Sequence, residues 1–200
     1  MMDEGYIKYQ IDWEKGPPVE GNYLDLIAAR NELFDLGLIG IYEEENIGYG
    51  NVSKRLENGN EFVVSGTQTG GIPELKAEHF TKVTAWDLAA NTLSCIGPLK
   101  ASSESLTHAA IYDCDPEITA ILHIHDETMW RDLMDIFPTT AEEVPYGTPE
   151  MALEVFRLYK EPDLKNLGVF VMKGHFEGVF AFGRDMGEAR SRLLQQVRPA

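Results

Sequence analysis

The segment from Ile118 to His125 constrains the fold of this chain more than any other. It is mainly apolar, and near its end two histidines alternate with aliphatic residues. Successive side chains of a β-strand point to opposite faces, so His123 and His125 should project together while Leu122 and Ile124 pack against another layer. The segment therefore predicts a strand that carries two imidazoles on one face.

The rest of the chain predicts strands and helices that are interspersed without the regular alternation of a doubly wound fold. This order favours a largely antiparallel sheet flanked by helices. The first helix should have Asn22 as its N-cap and stop at Gly37. Periodicity and turn residues predict the other elements: strands at Gly48–Leu56 and Glu61–Ser65 around a turn at Asn58-Gly59, a hairpin within Lys82–Ile96, a helix that begins near Ser102 and breaks at Pro116, a helix that Thr148 caps, a strand–turn–strand unit within Val169–Gly183, and a helix from Met186 to Val197.

Length and composition suit one domain with a substantial core. The chain has 200 residues, 44% of them hydrophobic, and no repeat or linker-like change of composition divides it. We therefore expect a single domain over residues 1–200 with its core at about 23–191. Cys95 and Cys114 are too few for a disulfide framework and too far apart for a Cys-x-x-Cys pair, so each is expected to be a small buried side chain.

The charge of the chain excludes several classes of partner. Seventeen Lys and Arg against 33 Asp and Glu give a formal charge of −16. Such a surface repels phosphate backbones and anionic lipids, so we expect neither nucleic-acid nor membrane binding. Residues 1–6 hold no basic segment ahead of an apolar run, and no window approaches the roughly 18 apolar residues of a membrane span. We expect a cytoplasmic protein.

Two imidazoles on one strand indicate a metal site, because neutral histidine is the commonest protein ligand of divalent transition metals. A pair of hydrogen-bonded histidines at a strand end is the alternative. The chain has five histidines, so a third ligand would be His79, His108, His175 or a carboxylate. His175, in a glycine-bounded turn between apolar strands, is preferred, with a solvent-exposed turn histidine as its alternative. Three histidines would leave an open coordination position for catalysis.

Two segments have the features of an anion site. Ser102-Ser103-Glu104 begins a predicted helix, where exposed N–H groups and the helix dipole attract anions and two hydroxyls add donors. The loop at 65–71 is rich in glycine and hydroxyl side chains and can form a backbone nest, although it is not a P-loop. Serine capping and an ordinary turn are the alternatives. Four basic residues lie beside these motifs, namely Lys54, Arg55, Lys100 and Lys173. Each is either a cation that contributes to the anion site or a solvated surface charge.

In this order the motifs resemble those of the class II aldolase/adducin family, from Tyr23 to Ser191. The family includes sugar-phosphate aldolases, a pentose-phosphate epimerase and a methylthioribulose-phosphate dehydratase. The matching elements are Gly50-Asn51-Val52-Ser53 with Arg55, Thr67-Gln68-Thr69-Gly70, Ser102-Ser103-Glu104 with His108, the His123-x-His125 strand, and His175 ahead of Gly183 and Glu188-Ala189.

The resemblance implies a three-layer α/β/α domain that assembles as a homotetramer with sites between subunits. It implies a zinc-dependent aldehyde-lyase, with Mn²⁺ or Co²⁺ as other ions, that cleaves a phosphorylated ketose or related sugar phosphate by a reversible aldol reaction through a metal-stabilised enediolate. Glu104 would be the catalytic acid/base. The metal ligands that the resemblance implies are His123, His125 and His175. The phosphate contacts that it implies are Asn51, Thr69, Gly70, Ser102 and Ser103.

The chain departs from the family pattern at two places, and three alternatives remain open. Gly174-His175-Phe176 replaces the usual Asn-His-Gly, and the segment between His125 and Val144 has no counterpart of the aldolase's catalytic tyrosine. Tyr146 resembles the family's Pro-Tyr element instead. Dehydration and epimerisation are alternatives on the same metal site, and epimerisation is disfavoured because the similar epimerase has Asp where Glu104 stands. The third alternative is a non-enzymatic adducin-like interaction module, against which the intact ligand set argues.

Overall fold

The computed structural model describes residues 5–56 and 59–197, and most of its strands form one sheet. The eight-stranded sheet has the order β1-β7-β6-β5-β4-β8-β10-β9, and β2 pairs with β3 in a separate small sheet. The strands are β1 (Gln10–Lys15), β2 (Gly40–Tyr42), β3 (Ile47–Tyr49), β4 (Asn51–Arg55), β5 (Phe62–Ser65), β6 (Phe80–Asp87), β7 (Thr92–Gly97), β8 (Ala120–His125), β9 (Val169–Val171) and β10 (Gly178–Gly183). Neighbours in the large sheet are antiparallel except β1 and β7, so the expected largely antiparallel sheet is confirmed.

Helices separate the strands along the chain. They are α1 (Leu24–Asp35), α2 (Ser105–Cys114), α3 (Glu127–Leu133), α4 (Pro149–Tyr159), α5 (Pro162–Leu167) and α6 (Met186–Leu194), with a 3₁₀ turn at Ala77–His79. Among the described residues, none of these helices combines the length and the apolar character that crossing a bilayer requires.

Each face of the sheet carries its own apolar cluster, because side chains alternate along the strands. Phe62 of β5 and Ile121 of β8 pack on one face with α2 and α4. Their neighbours Val63 and Leu122 pack on the other face with α1 and α6. The two clusters explain why β4, β5, β8 and β10 are almost wholly buried, and they position α2 over the face that carries the histidines of β8.

The structure confirms the predicted end of α1 and corrects its beginning. Gly37 adopts a φ of 74°, and the N–H groups of Gly37 and Leu38 donate to the carbonyls of Phe34 and Leu33, which is a Schellman motif. The prediction of Asn22 as N-cap is wrong. The N-cap is Tyr23, whose ring is buried against Phe80 and whose carbonyl accepts from Ile27, so packing moves the start of the helix one residue along.

The predicted strand Gly48–Leu56 is in fact two strands. Gly50 has a φ of 74°, and a Cβ there would lie 2.7 Å from Ile39 Cγ1, so the chain turns at this glycine and β3 leaves the large sheet. The β4–β5 hairpin is present, but Asn58 of its predicted turn lies outside the described residues. Pairing of β6 with β7 and of β9 with β10 confirms the other predicted hairpins.

The remaining predictions about helices, strands and cysteines are confirmed in part. Thr148 caps α4 as predicted, accepting a hydrogen bond from the N–H of Met151. The sequence did not reveal β1, β2, α3 and α5, which are short or only partly buried and so carry weak periodicity. The last helix ends at Leu194, before Val197. Cys95 is buried as expected, but Cys114, at the end of α2, is only partly buried.

Candidate metal centre and adjoining anion pocket

Three histidine side chains converge at the centre of the candidate site. His123 and His125 project from one face of β8, and His175 reaches them from the turn between β9 and β10. Nε2 of His125 lies 3.2 Å from Nε2 of His123 and 3.1 Å from Nε2 of His175. All three are buried, so His175 is not the exposed turn residue that was its alternative. The structure thus brings together the three histidines that the sequence singled out.

The donor set fits a divalent transition-metal ion. Two nitrogen ligands at about 2.1 Å from a tetrahedral zinc ion are about 3.4 Å apart, close to the separations of these Nε2 atoms. Burial lowers the pKa of His123 to about 3 and holds the pKa values of His125 and His175 well below the ordinary value, so the imidazoles are neutral. Neutral imidazole is the form that ligates a metal.

Hydrogen bonds on the far side of two rings direct their Nε2 atoms toward one another. Nδ1 of His123 lies 3.2 Å from the carbonyl oxygen of Val179, to which it donates. Nδ1 of His125 lies 3.0 Å from the hydroxyl of Tyr42, which itself donates to Glu177 Oε2 at 2.6 Å. With their protons on Nδ1, these imidazoles present lone pairs at Nε2. Outer partners of this kind set the tautomer of a histidine ligand.

Glu104 places a carboxyl group beside the three histidines. It immediately precedes α2 and is buried. Its Oε2 accepts a hydrogen bond of 2.6 Å from Thr107, and its Oε1 lies 3.8 Å from Nε2 of His175 with no hydrogen-bond partner among the described residues. Burial raises the pKa of Glu104 to about 7, despite the opposing hydrogen bond from Thr107. A carboxyl in this state can hold or release a proton near neutral pH.

A small polar pocket adjoins the three histidines. In the β4–β8 ladder Asn51 is paired with His123, so the pocket and the histidines are one strand apart. Gly70 approaches the backbone so closely that a Cβ would collide with the carbonyl of Gly40 and with the backbone of Tyr49. All five residues that the sequence resemblance assigned to phosphate line this pocket, namely Asn51, Thr69, Gly70, Ser102 and Ser103.

A buried arginine that the sequence analysis missed supports the pocket loop. Arg30 of α1 is 1% exposed, and its guanidinium donates to the carbonyls of Thr69 and Gly70 at 2.8 Å. It also donates to the carbonyls of Ile72 and Pro73. Because these carbonyls are held toward α1, the loop is fixed at the pocket wall and a positive charge lies behind it. The signal in the sequence was its position four residues after Leu26 and three before Leu33, on the apolar side of an amphipathic helix.

The basic residues suspected from the sequence lie elsewhere. Lys54 pairs with Asp25 at 2.7 Å, and Lys173 lies 3.6 Å from Asp135. Arg55 donates to backbone carbonyls of Tyr112 and Ile118. None of them lines the pocket, whose described lining consists of uncharged residues. An anion there would be held by N–H and hydroxyl groups.

The segment ahead of α1 also reaches the site, which the sequence did not indicate. Gly5 lines the pocket, and Tyr9 donates from its hydroxyl to the carbonyl of Ser102 at 2.7 Å. The backbone N–H of Tyr6 donates to the hydroxyl of Tyr146, whose ring packs 4.7 Å from the ring of His175. Tyr146 therefore helps to enclose His175, and its hydroxyl is engaged with the backbone.

The two remaining histidines have structural contacts. His79 accepts a hydrogen bond at Nδ1 from the backbone of Lys76 in the 3₁₀ turn. His108 is buried between Asn51 and Ser53, with which its two ring nitrogens form hydrogen bonds. Neither joins the three converging histidines, which agrees with the preference for His175 over His79 and His108.

The match to a family model identifies the class of this protein. The model of the class II aldolase and adducin N-terminal domain matches residues 26–198, and the chain belongs to that family. A methylthioribulose-1-phosphate dehydratase from Xanthomonas euvesicatoria pv. vesicatoria (strain 85-10) is 28% identical over 192 residues, which cover 82% of this chain and 84% of the relative.

Solved structures share the fold. A putative aldolase/epimerase/decarboxylase from Klebsiella pneumoniae, YgbL, aligns with a TM-score of 0.65 and 19% identity over 86% of this chain and 83% of its own. An L-fuculose-1-phosphate aldolase from Thermus thermophilus aligns with a TM-score of 0.58 and 22% identity over 89% of this chain and 97% of its own. These likenesses agree with an α/β fold whose mostly antiparallel sheet is flanked by helices.

Proposed function

We propose that this chain is a divalent-metal-dependent lyase that acts on a phosphorylated ketose. One observation carries the proposal: Asn51 of the anion pocket is paired in register with His123 of the metal centre. A substrate that reaches across one strand spacing, about 5 Å, can place a phosphate in the pocket and its carbonyl and hydroxyl oxygens beside the histidines. Sugar phosphates have this arrangement of groups.

His123, His125 and His175 would hold the ion, which we propose to be Zn²⁺, with Mn²⁺ or Co²⁺ as other occupants of a nitrogen donor set. When bound, such an ion supplies Lewis-acid polarisation of substrate oxygens. The protein's own part is to fix the rings of His123 and His125 through Val179 and Tyr42 and to exclude water by burial. We also propose the three-layer α/β/α arrangement, which the two apolar clusters support, within one domain that assembles as a homotetramer.

Glu104 would transfer the proton. Its pKa of about 7 allows the carboxylate to accept a proton from the substrate and the carboxylic acid to return it. Thr107 fixes one oxygen and leaves Oε1 directed toward His175, so the oxygen without a hydrogen bond is the one that faces the reacting atoms. The position of Oε1 and the pKa of the carboxyl group therefore both support a role for Glu104 in proton transfer.

The anion pocket would hold the phosphate with uncharged donors. Ser102 and Ser103 contribute hydroxyls at the start of α2, where the helix dipole adds favourable potential. Gly70 and Thr69 belong to the loop that Arg30 anchors, and Asn51 contributes its amide. Local donors and the guanidinium behind the loop would offset the repulsion expected from a chain of formal charge −16.

Dehydration is the reaction we propose first, and methylthioribulose 1-phosphate is the first substrate to test. The Xanthomonas relative supports this choice, as does the lack of any tyrosine in residues 126–143, where an aldolase would carry its proton donor. In this reaction Glu104 would take a proton from a carbon beside the carbonyl, a C=C bond would form, and the hydroxyl of the next carbon would take the proton from Glu104 and leave as water. Aldol cleavage is the second candidate, because Glu rather than Asp at position 104 fits both reactions.

The test begins with metal content and continues with turnover. Untagged protein is analysed by inductively coupled plasma mass spectrometry beside a His123→Ala/His125→Ala double variant and a His79→Ala control. We expect near-stoichiometric zinc, manganese or cobalt in the parent and the control, and its loss from the double variant. The loaded protein is then incubated with methylthioribulose 1-phosphate and with other ketose phosphates, and products are resolved by mass spectrometry.

Each outcome separates the candidates. A product that is lighter by one water supports dehydration, whereas two carbonyl fragments support aldol cleavage. Equal trace metal in all three proteins after incubation with these ions contradicts the lyase. That result would instead favour the adducin-like interaction module.

A further inference from the structure

Four buried side chains form a chain of hydrogen bonds that ends at the anion pocket. The hydroxyl of Tyr112 lies 2.8 Å from Ser53 Oγ, and Ser53 Oγ lies 2.7 Å from Nδ1 of His108. Nε2 of His108 lies 2.6 Å from Oδ1 of Asn51. All four residues are at most 5% exposed. The series runs from the interior of α2 to β4, and only its last member lines the pocket.

The hydrogen bonds in this chain have one consistent direction. Burial holds the pKa of His108 well below its ordinary value, so the ring is neutral, with one donor and one acceptor. In one direction Tyr112 donates to Ser53, Ser53 donates to Nδ1, and Nε2–H donates to Asn51. In the reverse direction Tyr112 becomes the acceptor, and its own proton has no other acceptor among the described residues. A buried donor without an acceptor loses its hydrogen bonds to water and gains none in return, which selects the first direction.

This direction determines what Asn51 presents to the pocket. Oδ1 is occupied by His108, so the remaining polar atom of the amide is Nδ2, which is a donor only. A reversed amide would place a carbonyl oxygen among the pocket groups and repel an anion. We propose that His108 is a positioning residue that orients the Asn51 amide so that it donates to an anionic oxygen of the substrate. This inference rests on the proposed function, which assigns the pocket to phosphate.

The first test measures the tautomer of His108 directly. The full chain is labelled with ¹⁵N-histidine, and the His108 resonances are assigned by their absence from a His108→Gln variant. We expect a protonated Nε2 and an unprotonated Nδ1. A protonated Nδ1 would show that the hydrogen bonds run in the reverse direction and would overturn the proposal. This measurement needs neither substrate nor activity, and the parent protein alone decides it.

The second test measures binding of inorganic phosphate by ³¹P NMR titration. The amide nitrogen of His108→Gln can take the place of Nε2 and donate to Asn51, whereas the shorter side chain of His108→Asn cannot reach it. We expect His108→Gln to bind phosphate within about threefold of the parent and His108→Asn to bind about tenfold more weakly, as for the loss of one charge-assisted hydrogen bond. His79→Gln, at a partly exposed histidine, is the matched control and should bind as the parent does.

The outcomes distinguish this inference from the proposed function. Unchanged metal content and cooperative thermal unfolding show that the variants fold. Phosphate binding that is the same in His108→Asn and the parent overturns the positioning role and leaves the pocket intact. A parent that does not bind phosphate at all contradicts the proposed function, and with it the role of the Asn51 amide.

Discussion

Oε1 of Glu104 lies 3.8 Å from Nε2 of His175, while Oε2 of the same carboxyl accepts a hydrogen bond from Thr107. The two oxygens therefore have different surroundings: one is fixed by α2 and the other faces the converging histidines. Burial of the whole group raises its pKa to about 7. In the proposed function the histidines would bind the metal and Glu104 would transfer the proton, so the two roles can be tested by different substitutions.

Glu104→Gln is expected to retain the metal and lose turnover. The amide keeps the size and the contact with Thr107 but cannot exchange a proton, so kcat should fall about 10²–10⁴-fold. Metal content and turnover are measured on the same preparation, with Glu61→Gln, a surface carboxylate paired with Lys82, as the control. An active variant would remove Glu104 from the proton transfer, and loss of metal would place its carboxylate among the ligands.

Tyr42→Phe is expected to weaken metal binding about tenfold, because its hydroxyl holds the proton of His125 on Nδ1. Affinity is measured by titrating the metal-free protein with Zn²⁺ in competition with a chelator. Tyr49→Phe is the matched control, since the Tyr49 ring also packs on His125 but its hydroxyl donates to Gly37. Equal affinities for the two variants would contradict a specific role of the Tyr42 hydroxyl.

Arg30→Lys is expected to lower the free energy of unfolding by about 2–4 kcal/mol. A single ammonium cannot reach the carbonyls of Thr69, Gly70, Ile72 and Pro73 that the guanidinium contacts, and buried acceptors would lose their donors. Urea unfolding measures the change. Arg190→Lys, at an exposed arginine paired with Glu32, is the control and should lower the free energy of unfolding by less than about 1 kcal/mol. Similar costs at both positions would show that the loop does not depend on the buried guanidinium.

Acid is expected to destabilise the metal-free protein through its buried histidines. The pKa of His108 is lowered by burial, so the unfolded chain binds a proton that the folded chain does not. The stability that this residue contributes is therefore present above the unfolded pKa of about 6.5 and is lost as the pH falls below it. Between about pH 5 and pH 6 the loss approaches about 1.4 kcal/mol per pH unit.

A variant isolates the share of this loss that belongs to His108. His108→Gln should reduce the slope of the unfolding free energy against pH, because one group fewer takes up a proton on unfolding. Urea unfolding of the parent and the variant at several pH values in the presence of a chelator gives both slopes. Identical slopes for the two proteins would contradict a lowered pKa of His108 in the folded protein.

Local sequence patterns predicted a substantial part of this protein. The two-residue alternation of β8 predicted that His123 and His125 share a face, and the positive φ available to Gly37 predicted the end of α1. These features depend on covalent geometry and near neighbours, which the sequence contains directly. The family resemblance added the order of the motifs, and the match over residues 26–198 confirms the family.

Only the tertiary structure decided how the remote groups meet. Tyr42 and Glu177 are 135 residues apart in the chain, yet they form the hydrogen-bonded support of His125. Arg30 reaches a loop about 40 residues away, and its helical periodicity places it on the apolar side of α1 without showing which carbonyls it contacts. Such contacts depend on how strands pair and helices pack, and both faces of the sheet must close before these side chains are buried together. For that reason the sequence indicated the three histidines and the pocket residues, while the groups that orient them became visible only in the folded chain.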